Sequence, residues 1–348
     1  MSTKAQIDKA GEALVTEPQN TDATETLEFW RRNHFAPMGR VRAILENCIE
    51  CCDFGCDAEV VLSNRIKRVE SVVQKLSRQK TMRLSKMQDI AGIRLVLNTT
   101  CSHEQGLRNL AQLSQHCFLT LSKHAIKVKG KLFDYVEHPK ESGYRAIHFV
   151  VECDTEDAGF SSIPVEVQLR TKIQHLWAMA VETAGMFYNQ ALKASEGSEE
   201  WLTFFKMCSA AVSHIEGGKI VSPYTNLSIE ELKNELNQYA TKRTFFQKMS
   251  NIKVITDILQ RDDHAIAYCI LELNMRQEKN KLYRFRDDQS DLANEMYTKI
   301  EQSAACVRGD AYAVLISVDH VKNLRILYPS YFLDVSEFMS LLRKFLVQ

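Results

Sequence analysis

The stretch Ile93-Arg94-Leu95-Val96-Leu97 decides the expected fold, because it is short, apolar and partly β-branched, as a buried strand is. Two more strands are predicted at Ala146–Glu152 and Val165–Leu169. A helix is predicted between the first two strands, at His103–Leu121, with its leucines on one face. This alternation of helices and strands predicts an α/β or α+β sheet covered by helices.

Toward the N-terminus, residues 1–25 are polar and lack a sustained apolar stripe, which predicts a weakly ordered leader. A helical pattern runs from Thr26 to Cys56, and a basic helix is predicted from Glu59 to Lys80. After the last strand, Lys172–Tyr188 is predicted to be helical.

The C-terminal half begins with a linker candidate at Glu216–Pro223 and a long helical pattern at Ser228–Arg261, which opens with a capping-box sequence. A small ββαββα unit follows. Its predicted elements are strands at Tyr268–Leu273, Leu282–Phe285, Ala311–Val318 and Leu324–Tyr328, and helices at Gln289–Ala305 and Val335–Leu346. The predicted domains are a leader (1–25), a helix-and-sheet domain (26–192), a helical region (193–262) and a small α/β domain (263–348).

Composition excludes several classes of protein. The chain has 348 residues, of which 45% are hydrophobic, enough for a packed core. Its 44 basic and 44 acidic side chains cancel, which argues against a surface that binds nucleic acid throughout. We find neither a long apolar run nor the apolar core of a signal peptide, and the ten cysteines are spaced irregularly. We therefore expect a cytoplasmic protein with reduced thiols and no membrane partner.

A local excess of positive charge follows residue 61. Between Val61 and Thr100 there are nine basic residues and two acids. Arg65, Arg68 and Lys75, together with Ser71, have helical spacing, so one face could present several donors to a polyphosphate. The alternative is an ordinary solvated helix face.

Two carboxylates have positions suited to a divalent ion. Asp89 directly precedes the apolar run that begins at Ile90. On the strand Val165–Leu169, alternation places Glu166, Gln168 and Arg170 on the face opposite the valines. Mg²⁺ at a phosphate site takes one or two such carboxylates. A structural ion pair at Asp89 and an ordinary half-exposed strand remain the alternatives.

The most informative loop combines a cation, an aromatic ring and an imidazole. Its sequence, residues 134–148, is DYVEHPKESGYRAIH. Lys140 can neutralise phosphate, Tyr144 offers a face on which a base can stack, and His148 can bond a phosphate or a ribose. Each residue alone would suit a structural role, but the three together in one loop favour a nucleotide site.

These motifs resemble the RelA/SpoT family of nucleotide pyrophosphokinases over roughly Ser63 to Ala184. The resemblance rests on four ordered pieces of sequence. They are Arg65-Ile66-Lys67 with Ser71 and Lys75; Asp89-Ile90-Ala91-Gly92-Ile93-Arg94; Asp134-Tyr135 through His148; and Val165-Glu166-Val167-Gln168-Leu169-Arg170-Thr171.

The resemblance implies an α+β fold, a nucleotidyltransferase-like mixed sheet, and transfer of the β,γ-pyrophosphate of ATP to the 3′-hydroxyl of GDP or GTP. Asp89 and Glu166 would hold Mg²⁺, with Glu166 also orienting or deprotonating the hydroxyl and His148 beside it as a further catalytic candidate. The implied ATP-binding residues are Arg65, Lys67, Ser71, Lys75 and Arg94. The implied acceptor-binding residues are Lys140, Tyr144, His148, Gln168 and Arg170.

The chain departs from the family pattern in ways that bear on substrate. Phe133 stands where the long synthetases commonly have a basic residue, with Lys131 two positions earlier, so guanosine specificity is open. His34 has no aspartate partner of the kind that the family's hydrolase half uses, and we expect no hydrolysis of the product. The alternatives are a toxic relative that modifies tRNA 3′ ends or adenosine nucleotides, and a non-catalytic nucleotide sensor. An antitoxin or trigger protein would then be a partner, and a homo-oligomer is compatible with the sequence.

The cysteines and the C-terminal aromatic residues lie outside these motifs. Cys48, Cys51, Cys52 and Cys56 have the spacing of one helix face, which favours core packing over a metal or redox site. The C-terminal unit is rich in aromatic residues, which can form a core or an interface, and we expect it to modulate access to the site. The aromatic residues concerned are Tyr283, Tyr328, Tyr331 and Phe332.

Overall fold

The computed structural model forms two compact units. The first comprises residues 1–140, 144–175 and 216–219, and the second comprises 141–143, 176–215 and 220–348. The predicted boundaries at 192 and 262 fall beside or within undescribed residues and remain predictions. The residues that the structure describes are 3–67, 69–124, 126–154, 162–187, 192, 196–249, 268–274, 279–307, 311–317 and 335–347.

The first unit is built on a five-stranded sheet with the order β1-β2-β5-β4-β3. β2 and β5 are parallel, whereas the other neighbouring strands are antiparallel. This mixed sheet with helices confirms the α+β class. The strands are β1 (Ala58–Ile66), β2 (Ala91–Thr99), β3 (Lys127–Asp134), β4 (Ile147–Cys153) and β5 (Ile163–Thr171).

One face of this sheet is an apolar core covered by helices α3 (Phe35–Glu50) and α5 (His103–Lys123). Ile93 of β2, Val167 of β5 and Phe149 of β4 are fully buried there. Since side chains alternate along a strand, the neighbouring polar positions are directed to the opposite face. The three predicted strands and the helix α5 are confirmed, and β3 is an additional strand.

The predicted weakly ordered leader is wrong: α1 (Lys4–Thr16) and α2 (Thr21–Arg32) are helices packed in a core of their own. Ile7, Leu14 and Leu27 are fully buried in it. The apolar stripe on α1 is narrow, and it needs a small residue, because a Cβ at Gly11 would lie 2.8 Å from that of Leu84. A capping box fixes the start of α1: the Thr3 side chain accepts from the Gln6 amide, and the Gln6 side chain accepts from the Thr3 amide.

Leu14→Ala tests this helical leader. We expect a loss of about 2–5 kcal/mol in the free energy of unfolding, because the substitution leaves a cavity between packed helices. Chemical denaturation monitored by circular dichroism measures it. Lys9→Ala, on the exposed side of the same helix, should change little. Equal stability of the two variants would mean that the leader does not pack.

The predicted basic helix at Glu59–Lys80 is wrong in its first half. β1 pairs with β2 along its whole length, from Ala58 opposite Thr99 to Ile66 opposite Ala91. Val60 and Leu62 pack on the core side, an alternation of period two. Only α4 (Val69–Arg78) is helical, so the basic residues are divided between a strand and a helix.

The cysteine prediction also needs correction. α3 ends at Glu50, so Cys51 and Cys52 lie beyond the regular helix, and the four cysteines do not share one helix face. Cys56 forms a disulfide with Cys101, contrary to the expectation of reduced thiols. Cys48 is buried in the core, as expected for a small apolar side chain.

After β5 the chain continues through helices α6 (Lys172–Phe187), α7 (Glu199–Glu216) and α8 (Ile229–Lys242). The long helix predicted at Ser228–Arg261 is interrupted after Lys242, because Thr244 adopts a positive φ of 56°, and residues 245–249 are helical again. In the second unit the Phe245 ring then stacks on Phe204, with centroids 4.5 Å apart. Residues 250–261 of the predicted helix lie outside the described residues.

The predicted linker at Glu216–Pro223 is not a free tether. Residues 216–219 belong to the first unit, where the buried Glu216 carboxylate accepts hydrogen bonds from the side chains of Thr171 and Gln174. Burial raises the pKa of Glu216, and these two bonds oppose the rise. The start of this segment is therefore bound to Thr171, the last residue of β5.

The C-terminal part contains a three-stranded antiparallel sheet with the order β7-β6-β8. The predicted strand at Leu324–Tyr328 and the aromatic residues 328, 331 and 332 lie outside the described residues. Among the described helices, none has the length and apolar character needed to cross a membrane. The elements are β6 (Tyr268–Asn274), β7 (Lys279–Phe285), α9 (Ser290–Glu301), α10 (Ala304–Val307), β8 (Ala311–Ser317) and α11 (Val335–Val347).

Candidate active site

The sheet face opposite the core gathers polar residues from three neighbouring strands. Arg94 of β2 is in register with Gln168 of β5, which is in register with His148 of β4. Residues directly opposed on adjacent strands point to the same face, so these three form a row across the sheet. Glu166 lies two residues before Gln168 and therefore on the same face.

Asp89 lies two residues before β2 and is bound by two ammonium groups. Lys67 Nζ donates to Oδ2 at 2.9 Å, and Lys75 Nζ donates to Oδ1 at 2.8 Å. Burial alone would raise the Asp89 pKa, but the charges and hydrogen bonds of both lysines lower it to about 2. Asp89 is therefore ionised near neutral pH and lies between two ammonium groups.

A closed ring of hydrogen bonds joins five side chains. Arg170 Nη2 donates to Tyr144 Oη at 2.5 Å, and Tyr144 Oη lies 2.6 Å from His148 Nε2. His148 Nδ1 lies 3.2 Å from Glu166 Oε1. Gln168 Nε2 donates to Glu166 Oε2 at 2.7 Å, and Gln168 Oε1 accepts from Arg170 at 3.2 Å. The ring holds Glu166 by both carboxylate oxygens.

The protonation states in this ring follow from its partners. Burial lowers the pKa of His148, so its imidazole is neutral near pH 7. The Tyr144 hydroxyl then donates to Nε2, and Nδ1–H donates to Glu166. Burial would raise the Glu166 pKa, but the hydrogen bonds from His148 and Gln168 keep it below its ordinary value. Glu166 is therefore ionised.

The loop supplies a further cation to the same place. Lys140 Nζ lies 4.3 Å from the ring centroid of Tyr135 and 5.2 Å from that of Tyr144, both within cation–π range. Burial lowers the Lys140 pKa, Glu166 opposes this, and the charges of Lys75 and Arg170 lower it further. The residues predicted for ATP and those predicted for the acceptor thus share one electrostatic environment.

The predicted ATP residues lie on or beside β1, β2 and α4. Arg65 is in register with Gly92, and the Lys67 amide donates to the Ile90 carbonyl at 2.7 Å. Ser71 is half-buried on α4, one turn before Lys75. Arg68 lies outside the described residues. The contacts described place Lys67 and Lys75 on Asp89, and the nucleotide roles of all these residues remain predictions.

Two residues of the loop contribute more than the sequence suggested. Tyr135 packs edge-on against the His148 ring at 5.5 Å, and its amide donates to the Ala146 carbonyl, so it supports the imidazole. Gly143, in the second unit, has a φ of +86°, and a Cβ there would lie 2.6 Å from that of Ser209. The Tyr135 position was available in the quoted motif, whereas the close approach at Gly143 required the structure.

The site's donors suit a hard cation. Asp89 and Glu166 are both ionised, and the Asp89 charge acts on the Glu166 pKa, so the two carboxylates are electrostatic neighbours. Carboxylate oxygens are the ligands that Mg²⁺ prefers, and two of them with substrate phosphates are a usual set. The residues present therefore fit a divalent ion at this place.

Comparisons with known proteins identify the family that the motifs of this chain resemble. A family described as "Region found in RelA / SpoT proteins" matches residues 64–192. The match covers little more than a third of the chain. It includes β1 from its seventh residue, the whole ring of hydrogen bonds and both carboxylates.

Relatives of the RelA/SpoT domain carry names that indicate nucleotide chemistry. The probable GTP diphosphokinase RSH3 of Arabidopsis thaliana is 34% identical over 121 residues, covering 34% of this chain and 14% of the relative. GTP pyrophosphokinase YwaC of Bacillus subtilis is 32% identical over 122 residues, covering 33% of this chain and 52% of the relative. The chain thus spans about half of the bacterial relative and a smaller part of the plant one.

Among solved structures, the chain is similar to small alarmone synthetase 1 of Bacillus subtilis, bound to its product pppGpp. The identity is 21% and the TM-score is 0.43, over 57% of this chain and 94% of that protein. The chain is also similar to a GTP pyrophosphokinase family protein from Streptococcus pneumoniae. The identity is 20% and the TM-score is 0.42, over 57% of this chain and 91% of that protein.

Proposed function

We propose that this chain is a nucleotide pyrophosphokinase that transfers the β,γ-pyrophosphate of ATP to the 3′-hydroxyl of GDP or GTP, using Mg²⁺. The observation that carries the proposal is the ring that holds an ionised Glu166 beside the lysine-bound Asp89. It lies in a RelA/SpoT domain whose relatives include a GTP pyrophosphokinase and a probable GTP diphosphokinase.

Glu166 is the group that orients the attacking hydroxyl and accepts its proton. Because His148 and Gln168 each donate to one of its oxygens, the carboxylate is fixed in direction while it remains charged. His148 acts as a positioning residue, since both of its ring nitrogens are already bonded. Phosphoryl-type transfer depends mainly on such positioning and on neutralising charge.

The phosphates of ATP would be neutralised by lysine and arginine side chains near the two carboxylates, Asp89 and Glu166. Lys67 and Lys75 present ammonium groups at Asp89, and Lys140 adds a third near Glu166. Arg65 and Arg94 are the further arginines proposed for ATP, with Ser71 on α4. Lysine and arginine donors of this kind stabilise the charge that develops during transfer.

Asp89 and Glu166 would hold the Mg²⁺ ion. When bound, Mg²⁺ neutralises phosphate oxygens and helps to align them for in-line transfer. A carboxylate has several lone-pair positions, so Asp89 can serve a cation and still accept from a lysine.

Tyr144 is proposed to stack on the acceptor base, with Lys140, Gln168 and Arg170 around it. Tyr144→Ala should raise the acceptor KM by roughly 10- to 100-fold, because stacking contributes about 1–3 kcal/mol per base. The ATP KM should change much less. Tyr144→Phe is the matched control: it keeps the ring but removes the hydroxyl between Arg170 and His148. Equal losses for ATP and acceptor in Tyr144→Ala would place this side chain outside the acceptor site.

The acceptor is identified by incubating the purified chain with ATP labelled in the γ-phosphate and with GDP, GTP, ATP or tRNA in parallel. We expect label in the guanosine nucleotides. Label in an adenosine nucleotide would mean that the chain catalyses the proposed transfer but uses an adenosine nucleotide as the acceptor. No transfer to any of the four would favour the nucleotide sensor.

One observation favours tRNA as the second candidate acceptor. A surface cavity just beyond α4 is lined by four basic side chains, Arg78, Lys80, Arg83 and Lys86. Because α4 also carries Lys75 of the site, a polyanion bound there would continue from the phosphate region. The tRNA arm of the experiment, repeated at two salt concentrations, distinguishes this candidate, since binding through phosphates weakens steeply with salt.

A further inference from the structure

A group of thiols and an imidazole lies in the first unit, on the core side of the sheet. Cys48, Cys52 and His116 each offer a ligand atom, and these atoms lie within 4.8 Å of one another. Cys117 lies beside this group, with its Sγ 3.4 Å from Cys48 Sγ, but it is not within 4.8 Å of all three other donor atoms. Cys48 lies in the last turn of α3, Cys52 lies just beyond that helix, and His116 and Cys117 lie on α5.

We propose that Cys48, Cys52 and His116 form a structural zinc site that ties α3 to α5, with Cys117 reaching the ion as the fourth ligand after a side-chain rotation. Three thiolates and one imidazole are a common ligand set for structural Zn²⁺, and soft sulfur donors favour zinc over Mg²⁺ or Ca²⁺. The site is separate from the carboxylate pair proposed for Mg²⁺. It therefore stands whether or not the proposed function is correct.

The spacing of the donors fits a tetrahedral ion. With zinc–sulfur bonds near 2.3 Å and zinc–nitrogen bonds near 2.0 Å, two ligand atoms around one ion lie roughly 3.3–3.8 Å apart. The Cys48–Cys117 separation of 3.4 Å falls in this range. The donor atoms of Cys48, Cys52 and His116 lie within 4.8 Å of one another, so they need to move by only about 1 Å to bind one ion, whereas Cys117 has to change its side-chain rotamer.

The sequence places these donors for a physical reason. Cys48 lies in the last turn of α3, and Cys52 follows the end of that helix, with its thiol 3.2 Å from the Cys48 carbonyl oxygen. His116 and Cys117 are consecutive on α5, so one faces outward and the other is fully buried. The exposed imidazole gives the ion a route of entry from solvent.

Core packing and disulfide formation are the alternatives to a metal at these four residues. Cys48 and Cys117 could simply pack as small apolar side chains, or they could oxidise to a disulfide. The half-buried Cys52 and the exposed His116 do not belong to an apolar core, and their convergence on Cys48 is what favours a metal.

The test is the metal content of the full chain, purified under reducing conditions without chelator. We expect about one zinc ion per chain by elemental analysis, which a strong chelator releases with a fall in melting temperature. Cobalt added to the chelated protein should give the thiolate-to-metal absorption of a tetrahedral site. Cys52→Ser should weaken this absorption and lower the zinc content several-fold.

Two matched variants distinguish the loss of a zinc ligand from the loss of folding. Cys51→Ser alters the exposed neighbouring thiol and should retain the full zinc content. His116→Asn changes an exposed side chain, so it should fold and yet lose most of the zinc. Zinc content near zero in the wild-type chain, with these thiols reduced and no cobalt spectrum, would overturn the proposal in favour of core packing. A Cys48–Cys117 peptide pair lighter by two hydrogens would overturn it in favour of a disulfide.

Discussion

We expect Glu166→Gln to abolish measurable pyrophosphate transfer, with a loss of at least about 10²–10⁴-fold in kcat. The substitution removes the proposed proton acceptor and one proposed metal ligand together. It preserves shape, because an amide still fills the space between His148 and Gln168. The measurement is the rate of AMP release from ATP in the presence of acceptor.

Glu152→Gln provides the control for this prediction. Glu152 lies on the adjacent strand β4 and pairs with Lys129, away from the ring of hydrogen bonds. Glu152→Gln should leave the rate of AMP release within a factor of about two of the wild-type rate, since exposed ion pairs contribute little. If Glu166→Gln retained the wild-type rate, Glu166 would have neither proposed role.

Asp89→Asn should lower transfer by at least about 10²-fold, because it removes the other proposed metal ligand and leaves the charges at Lys67 and Lys75 unbalanced. It should also destabilise the folded chain. The Asp89 pKa is held near 2, below its ordinary value of 3.8, which corresponds to about 2 kcal/mol of stability.

The pH dependence of this second effect has a definite sign. Since the folded pKa lies below the unfolded one, the stabilisation is fully present above about pH 5 and is lost as the pH falls toward 2. Denaturation of wild type and Asp89→Asn at pH 7 and pH 3 measures the difference. Asp57→Asn, an exposed aspartate, is the control. A difference between wild type and Asp89→Asn that did not shrink at acid pH would contradict the ion-pair account.

The strands of the sheet were predictable where their apolar character was strong. Ile93–Leu97 is apolar and partly β-branched, and Val165–Leu169 alternates with polar residues, so the positions of both strands and the face of Glu166 followed directly. β1 was not predicted, because its arginine and lysine neighbours resembled a basic helix. In the structure, pairing with β2 satisfies its backbone and outweighs that local pattern.

The N-terminal helices illustrate a different limit. The apolar positions of α1, such as Ile7 and Leu14, are too few to indicate a core by themselves. They become buried because they meet α2 and α4, which the sequence alone does not place nearby.

The candidate site was predictable in its residues but not in its connections. Motif spacing indicated Asp89, Glu166, Tyr144 and His148 individually. The ring that links Arg170 through Tyr144 and His148 to Glu166 depends on the register of β4 against β5, and no sequence pattern specifies that register. The same holds for the thiol cluster, whose members lie far apart in sequence and meet where α3 packs on α5.

The most direct test is a single-turnover reaction with γ-labelled ATP and GDP, comparing the wild-type chain with Glu166→Gln and following label and AMP together. The account predicts that the wild-type chain moves label to the guanosine nucleotide and releases an equal amount of AMP, and that the variant does neither. Release of labelled inorganic phosphate with ADP, or transfer that persists in the variant, would contradict it.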